Sequence, residues 1–391
     1  MSASQIQPPT QEESFGTIVI GGGQAGLAAG YFLARARTNF IILDENPRTG
    51  ASWRSRWDSL RLFTPSQFDG LPGFPFPQAP DTFPTKEDVA GYLEQYADRF
   101  HLPVRHGVKV DRLSRSGAAY RLSAGSSLFH ARNVVVASGP YQIPYLPGFA
   151  AELDPAIQQV HSHAYRNPGQ IPAKEILVVG AGNSGSEIAL ELGQAGKRVW
   201  LAGRDVGELP FTRPVARAFG GRPAWWLMSR LLNVATPVGR RARAGALHHG
   251  IALGRPLRKE LEAARIERTG RVSGLRSGQP QLEDGRLLNP GCVIWATGFR
   301  PDYRWIQLPV SGDDGYPLHR RGVVPAAPGL YFLGLTFQSA FKSSLLGGVG
   351  ADAVYIAAQI ARRETMSTAS PEGERQEEML LIQGGSSGGE S

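Results

Sequence analysis

"ILVVGAGNSGSEIAL", residues 176–190, decides the fold. An apolar β-branched run, Ile176 to Val179, stops at Gly180, and a stretch of helical length rich in alanine and leucine follows. Gly180, Gly182 and Gly185 stand in G-x-G-x-x-G spacing. In a strand–turn–helix unit the first glycine makes the tight turn, the second lets a diphosphate approach the backbone, and the third lets helix and strand pack closely. The diphosphate then rests on free N–H groups at the positive end of the helix. The same pattern occurs earlier, in "TIVIGGGQAGLAAGYFL" at 17–33, with Gly21, Gly23 and Gly26. Each unit continues into a second apolar strand, "FIILDEN" at 40–46 and "RVWLAGR" at 198–204. Two complete units predict an α/β chain with two Rossmann-like dinucleotide-binding domains.

The strand ends differ in charge. Asp44 closes the first unit, where a carboxylate binds the ribose hydroxyls of an adenosine. Arg204 closes the second, where a guanidinium suits a 2′-phosphate and so favours NADPH over NADH. Asp205 follows it and is the alternative partner, for an unphosphorylated ribose.

At 391 residues the chain holds two domains with proper cores. It has no apolar run long enough to cross a bilayer. The opening residues 1–14 lack the core of a signal peptide and read as a disordered lead-in, and 364–391, ending "GGSSGGES", as a disordered tail. One cysteine, Cys292, excludes an internal disulfide framework and a multi-cysteine metal site, so no metal is expected and a cytoplasmic location fits. The net charge of +8 is concentrated. From Arg204 to Arg276 there are 14 arginines and one lysine against five acids. This block contains "GGRPAWWLMSRLLNVATPVGRRARAGALHHG", which mixes Trp225, Trp226 and Leu227 with arginines. It reads as a basic helical insertion over about 206–257 that covers a pocket. A peripheral membrane contact is the alternative; a nucleic-acid partner is not expected.

The remaining segments order the domains. Short alternating strands run through 102–136, and the proline-rich linker 145–174 follows. "CVIWATGFRPD" (292–302) gives a buried strand and tight turn. "GLYFLGLTFQSAFKSSLLGGVGADAVYIAAQIARR" gives a strand, a loop and a helix from near Gly350 that returns to the first domain. The expected boundaries are 15–168 for the first part of the first domain, 169–298 for the inserted second domain and 299–363 for the return.

These features resemble the two-dinucleotide-binding-domain flavoproteins. "GASWRSRWDSLRLFTPSQFDGLPGFPFP" and "FPTKEDVAGYLEQYADRF" are similar to the flavin-containing monooxygenases, in particular the indole-3-pyruvate (YUCCA-type) branch and its bacterial relatives. The resemblance implies FAD on Gly21, Gly23, Gln24, Ala25, Gly26, Asp44 and Glu45, with Ser52, Trp53, Gly139 and Gly348 also near it. It implies NADPH on Gly180, Gly182, Asn183, Ser184, Gly185 and Arg204, with Ala296, Thr297 and Gly298 lining the passage between the domains. It places Thr64 and Pro65 near the flavin ring and offers His161 as a hinge residue. His161 and Tyr165 have the spacing of the family's linker fingerprint, but the nearest upstream glycine, Gly148, lies 13 residues before His161 instead of four.

The chemistry implied is hydride transfer from NADPH to FAD, then reaction with dioxygen to a C4a-(hydro)peroxyflavin. Oxygen passes to sulfur or nitrogen, or to a carbonyl or 2-oxo acid, of a small apolar or aromatic substrate. No catalytic acid is certain. Alternatives are an NADPH-dependent flavin oxidoreductase or oxidase that releases peroxide, and a nucleotide-sensing regulator on a membrane surface. A homodimer is possible in either case. A disulfide reductase of this layout needs a cysteine pair, which the chain lacks.

Overall fold

The computed structural model describes residues 11–207, 221–249 and 257–366. Its first sheet has seven strands built around Gln11–Ile20. That strand runs parallel to Phe40–Asp44 on one side and to Ser127–Val136 on the other. Val104–His106 adds a parallel edge, and Arg112–Ser116 with Ala119–Ala124 adds an antiparallel one. Leu330–Phe332 comes back from far along the chain to pair in parallel with the end of Ser127–Val136. Phe40–Asp44 is buried throughout, as expected for a strand covered on both faces. Helices Gln24–Arg35, Lys86–Arg99 and 350–366 supply Leu27, Leu33, Tyr92, Tyr96, Ile356 and Ile360 to one core of this domain. Helix Lys86–Arg99 starts at a capping box: the Thr85 hydroxyl accepts from the Asp88 N–H while the Asp88 carboxylate accepts from the Thr85 N–H.

The second sheet is five-stranded and wholly parallel, in the order Glu267–Thr269, Arg198–Ala202, Glu175–Val179, Cys292–Trp295, Gln158–His161. All of it falls between Ser127–Val136 and Leu330–Phe332, so the second domain is inserted into the first. A two-stranded piece, Ile143–Pro144 against Phe299–Arg300, ties the two crossings together.

Three expected boundaries move. The first strand begins at Gln11, not after residue 14. Its leading residues are polar because Glu13 pairs with Arg105 and Glu12 with His130 across the sheet, so no apolar pattern announces them. Gln158–His161 is hydrogen-bonded into the second sheet, so a boundary at 168 falls inside that domain. Only Val160 of that edge strand is buried, and proline-rich surroundings mask it. The last helix runs to 366, past the expected end at 363. The rest of the expected lead-in and tail, and parts of the insertion (208–220 and 250–256), lie outside the described residues.

The described part of the insertion is helical, Arg222–Leu231 and Pro237–His249. Between the helices the chain docks on the first domain. The Val234 N–H donates to the Ser339 carbonyl at 2.9 Å, and the Phe341 N–H donates to the Leu232 carbonyl at 2.9 Å. A second link is the loop after helix Ala51–Arg54. Its Trp57 and Leu60 are buried in the second domain's core with Tyr165 and Ile176, while Trp53 packs against the cores of both domains. Among the described residues no helix is long and apolar enough to cross a membrane.

Candidate functional site between two helix mouths

The two glycine turns share the same close approach of strand to helix. A Cβ on Gly26 would stand 1.8 Å from the Gly21 carbonyl oxygen, and one on Gly185 would stand 1.7 Å from that of Gly180. Those glycines are fixed by the closeness of strand to helix. Gly23 and Gly182 are different: a Cβ at either meets nothing within 4 Å. The protein itself does not need that space. Gly23 and Gly182 are the N-caps of Gln24–Arg35 and Asn183–Gln194, and neither helix start carries a side-chain cap. The first-turn N–H groups are therefore left for another acceptor. Open space beside uncapped N–H groups at a positive helix end fits a diphosphate, twice over.

Asp44 is buried at the end of its strand, with one carboxylate oxygen held by the Asn46 side chain at 2.9 Å. The other oxygen lies against the first turn, 2.7 Å from where a Cβ on Gly22 would be, in place for ribose hydroxyls. Glu45 instead turns to the surface and meets Lys109. At the second turn Gly203 closes on the Ala181 N–H, and Arg204 projects exposed just beyond it. Asp205 is committed elsewhere, with Arg258 holding both its oxygens at 3.0 and 2.7 Å.

Gln24 joins three parts of the first domain. Its amide donates to the Ser344 carbonyl at 3.1 Å and accepts from the Trp53 indole at 3.2 Å. Ser52 is exposed in its short helix. Gly139 follows the end of the third central strand, beside Ala137, whose carbonyl closes on Gly21. Gly347 and Gly348 lie in the return loop, where a Cβ on Gly347 would strike the Phe68 carbonyl at 1.6 Å.

Thr64 is buried and donates to Asp69 at 2.5 Å. Pro65 caps the 3-10 turn Ser66–Phe68 that leads to Asp69. The second oxygen of Asp69 is buried without a partner among the described residues. Burial pushes this carboxyl up to about 8, against the smaller opposing pull of the Thr64 hydroxyl. The sequence hides this residue, because "FDGLPG" reads as a turn with a surface acid.

His161 is a latch. Its Nδ1 accepts the His163 backbone N–H at 3.1 Å, so Nε2 carries the proton and donates to the Gly298 carbonyl at 3.1 Å. Nε2 holds the linker against the Ala296–Thr297–Gly298 turn, Nδ1 closes a turn within the linker itself, and burial lowers the pKa. That turn is pinned again by the Tyr145 N–H, which donates to the Gly298 carbonyl at 2.9 Å, and by the Thr297 hydroxyl on the Tyr145 carbonyl. Tyr165 anchors the linker by donating to Glu191 at 2.7 Å.

The comparisons agree with this geometry. Residues 18–210 match the family described as pyridine nucleotide-disulphide oxidoreductase. A flavin-containing monooxygenase from Stenotrophomonas maltophilia superposes with a TM-score of 0.74 at 26% identity, covering 90% of this chain and 99% of that one. An oxidoreductase named as uncharacterized and CzcO-like, from Geobacillus kaustophilus, is 39% identical over 87% of this chain and 96% of its own length. The chain belongs to the flavin-containing monooxygenase family. Another relative is the probable indole-3-pyruvate monooxygenase YUCCA3 of Arabidopsis thaliana, 28% identical over 89% of this chain and 87% of its own length.

As a member of that family the protein is a flavin-dependent monooxygenase that uses a flavin and a nicotinamide cofactor. Its one cysteine is not part of a redox pair: Cys292 is buried in the second sheet, and burial pushes the thiol up to about 12.

Proposed function

We propose that the protein oxidises NADPH through bound FAD and transfers one oxygen atom of dioxygen to a small apolar or aromatic substrate. One observation carries the substrate reading. Where the insertion docks on the loop that follows Trp53, Gln67, Phe68, Leu71, Phe74, Trp225 and Gly347 line a cavity of about 510 Å³. That volume admits a small molecule, and the rings of Phe68, Phe74 and Trp225 offer it aromatic contacts. Trp225 stacks on Phe68 and stands edge-on to Phe341, so the insertion closes one wall.

Bound flavin supplies two-electron acceptance and the activation of dioxygen. The chain's own residues set the conditions. Gly23 and Asp44 take the diphosphate and ribose of one dinucleotide, and Gly182 takes the diphosphate of the other. Exposed Arg204 favours the 2′-phosphate of NADPH, because Asp205 is held by Arg258 and is not free for a ribose. Helix 350–366 turns its positive end toward the loop that meets Gln24, which suits negative charge on a reduced ring. A neutral Asp69 carboxyl beside Thr64 holds a proton there without a fixed charge.

The test follows NADPH oxidation and peroxide release together across thioethers, amines, ketones and 2-oxo acids. A substrate should suppress peroxide while NADPH oxidation continues. Peroxide equal to NADPH consumed with every compound overturns the oxygenation reading and leaves an NADPH oxidase.

A further inference from the structure

Arg56 lies where the two domains meet, in the loop whose Trp57 and Leu60 are buried in the second domain's core. Its neighbour Arg54 is fully employed, on Glu87 and both oxygens of Glu94. Arg56 is not. Among the described residues its half-buried guanidinium makes neither a hydrogen bond nor an ion pair. It meets only two ring faces, with Cζ 5.6 Å from the centre of Tyr141 and 5.7 Å from that of Phe299. Those ring contacts are not hydrogen bonds, so the guanidinium N–H donors stay unspent.

The surroundings are one-signed. Arg166 lies close enough to repel Arg56, and both add to burial in lowering the pKa of His163. Burial first, and then the charges of His163 and Arg56, lower the pKa of His161. The nearby carboxylate, Asp58, is divided between Lys86 at 2.9 Å and Asn167 at 2.7 Å. A guanidinium taken partly out of water beside a second cation, with no acid supplied, is unfavourable unless something else brings the negative charge. Burial does lower the Arg56 pKa, but an arginine stays protonated throughout the working range.

Position narrows what that partner is. Phe299 follows Gly298, whose turn abuts Gly180, and Tyr141 precedes the strand Ile143–Pro144 that pairs with Phe299–Arg300. The free donors thus sit at the rim of the passage between the two glycine turns, flanked by aromatic rings.

We infer that Arg56, backed by Arg166 and framed by Tyr141 and Phe299, is a binding residue for a planar or tetrahedral oxyanion that enters the cleft. This rests on the reading of the cleft as the meeting place of two dinucleotides. A carboxylate of the substrate and a phosphate of the nicotinamide dinucleotide share the required chemistry, and a bidentate guanidinium grips either.

The test uses flavin-loaded protein, unmutated or carrying Arg56→Gln or Arg56→Lys. Each is titrated with NADPH, NADH, benzoate and the neutral isostere benzamide while the flavin absorbance is followed. Arg56→Gln is expected to weaken benzoate about tenfold or more and leave benzamide unchanged if the anion is a carboxylate. It is expected to weaken NADPH and NADH by a similar factor and spare benzoate if the anion is a dinucleotide phosphate. Arg56→Lys should fall between, keeping charge but losing the fork. Unchanged affinity for both NADPH and benzoate overturns the assignment.

Because a variant can fail to fold, the unmutated holoenzyme is also labelled with phenylglyoxal and read by peptide mass spectrometry. Arg56 should be modified, and NADPH or benzoate should slow that modification. A rate indifferent to both again overturns it. Protein that takes up no flavin would instead count against the dinucleotide reading, so the two failures are separable.

Discussion

Trp225 lies flat on Phe68, ring centres 4.7 Å apart and planes 16° from parallel. The first residue belongs to the insertion of the nicotinamide domain and the second to the flavin domain's loop, so one stacked pair seals a cavity wall across the domain boundary. Trp225→Ala should leave flavin content intact, because neither ring is part of the first glycine turn. An offset-stacked pair is worth about 0.5–1.5 kcal/mol beyond its buried area, so KM for an apolar substrate should rise about three- to tenfold. The fraction of NADPH lost as peroxide should rise with it. Unchanged KM and coupling would detach the insertion from the substrate site.

The paired glycines give a sharper discrimination. Gly26→Ala and Gly185→Ala drive a methyl into a backbone carbonyl within the same turn, and each should destabilise its domain by more than about 2 kcal/mol. Gly23→Ala and Gly182→Ala place the methyl in open space at an ordinary backbone angle. Thermal unfolding of those two apoproteins should change by about 1 kcal/mol or less. Their cofactor affinities should nevertheless fall about tenfold or more, since the methyl occupies the diphosphate's place. Gly23→Ala should lose flavin and Gly182→Ala should raise KM for the nicotinamide. A Gly23→Ala protein that stays fully yellow would show that the turn is not a diphosphate cradle.

Why those turns were legible and other parts were not has a physical reason. Gly26 and Gly185 are dictated by a carbonyl of their own turn, and Gly21 and Gly180 by a positive φ at its start, so a spacing of a few residues reveals them. The insertion of one domain into the other could be read because the returning strand Leu330–Phe332 is apolar on both faces. Gln158–His161 escaped notice because an edge strand with one buried side chain needs no apolar pattern. Arg56 and Asp69 escaped for another reason. Their character depends on what distant segments bring near them: Phe299 and Tyr141 for Arg56, and the burial around the Thr64 loop for Asp69. Nothing in "SRWDS" or "FDGLP" marks one charge as unpaired or the other as sealed from water.

Under the proposed function, Arg204 is the residue that selects between the two nicotinamide dinucleotides. It is exposed beside the second turn, while Asp205 is tied to Arg258. A hydrogen bond from a charged group is worth about 1.5–3 kcal/mol. Arg204→Leu should therefore lower the NADPH-to-NADH ratio of kcat/KM by about ten- to a hundredfold, chiefly through KM. Arg258→Leu should act differently: it frees Asp205 to accept from an unphosphorylated ribose, so NADH should improve while NADPH changes little. An Arg204→Leu enzyme with its preference intact would move the recognition of the 2′-phosphate to another residue.

Asp69 gives the protein a pH-dependent stability with a definite sign. Its folded pKa is raised from 3.8 to about 8, mainly by burial. Below pH 4 the acid is protonated in both folded and unfolded chains, and this contribution to stability is fully present. Between about pH 4 and 8 the unfolded chain has released the proton while the folded chain keeps it, so stability falls as pH rises. The limiting slope is about 1.4 kcal/mol per pH unit for one proton. Above pH 8 the group is ionised in both states and the slope from this source vanishes. Asn is a neutral stand-in of the same shape, able to accept from the Thr64 hydroxyl. Asp69→Asn should thus remove the fall, leaving the variant more stable than the parent near pH 8 and close to it near pH 4. Denaturant titrations at half-unit steps from pH 4 to 8.5 measure both slopes directly. Two parallel profiles would mean that Asp69 ionises in the folded protein like an ordinary surface carboxylate, and that its sealed oxygen finds a partner when the chain is in solution.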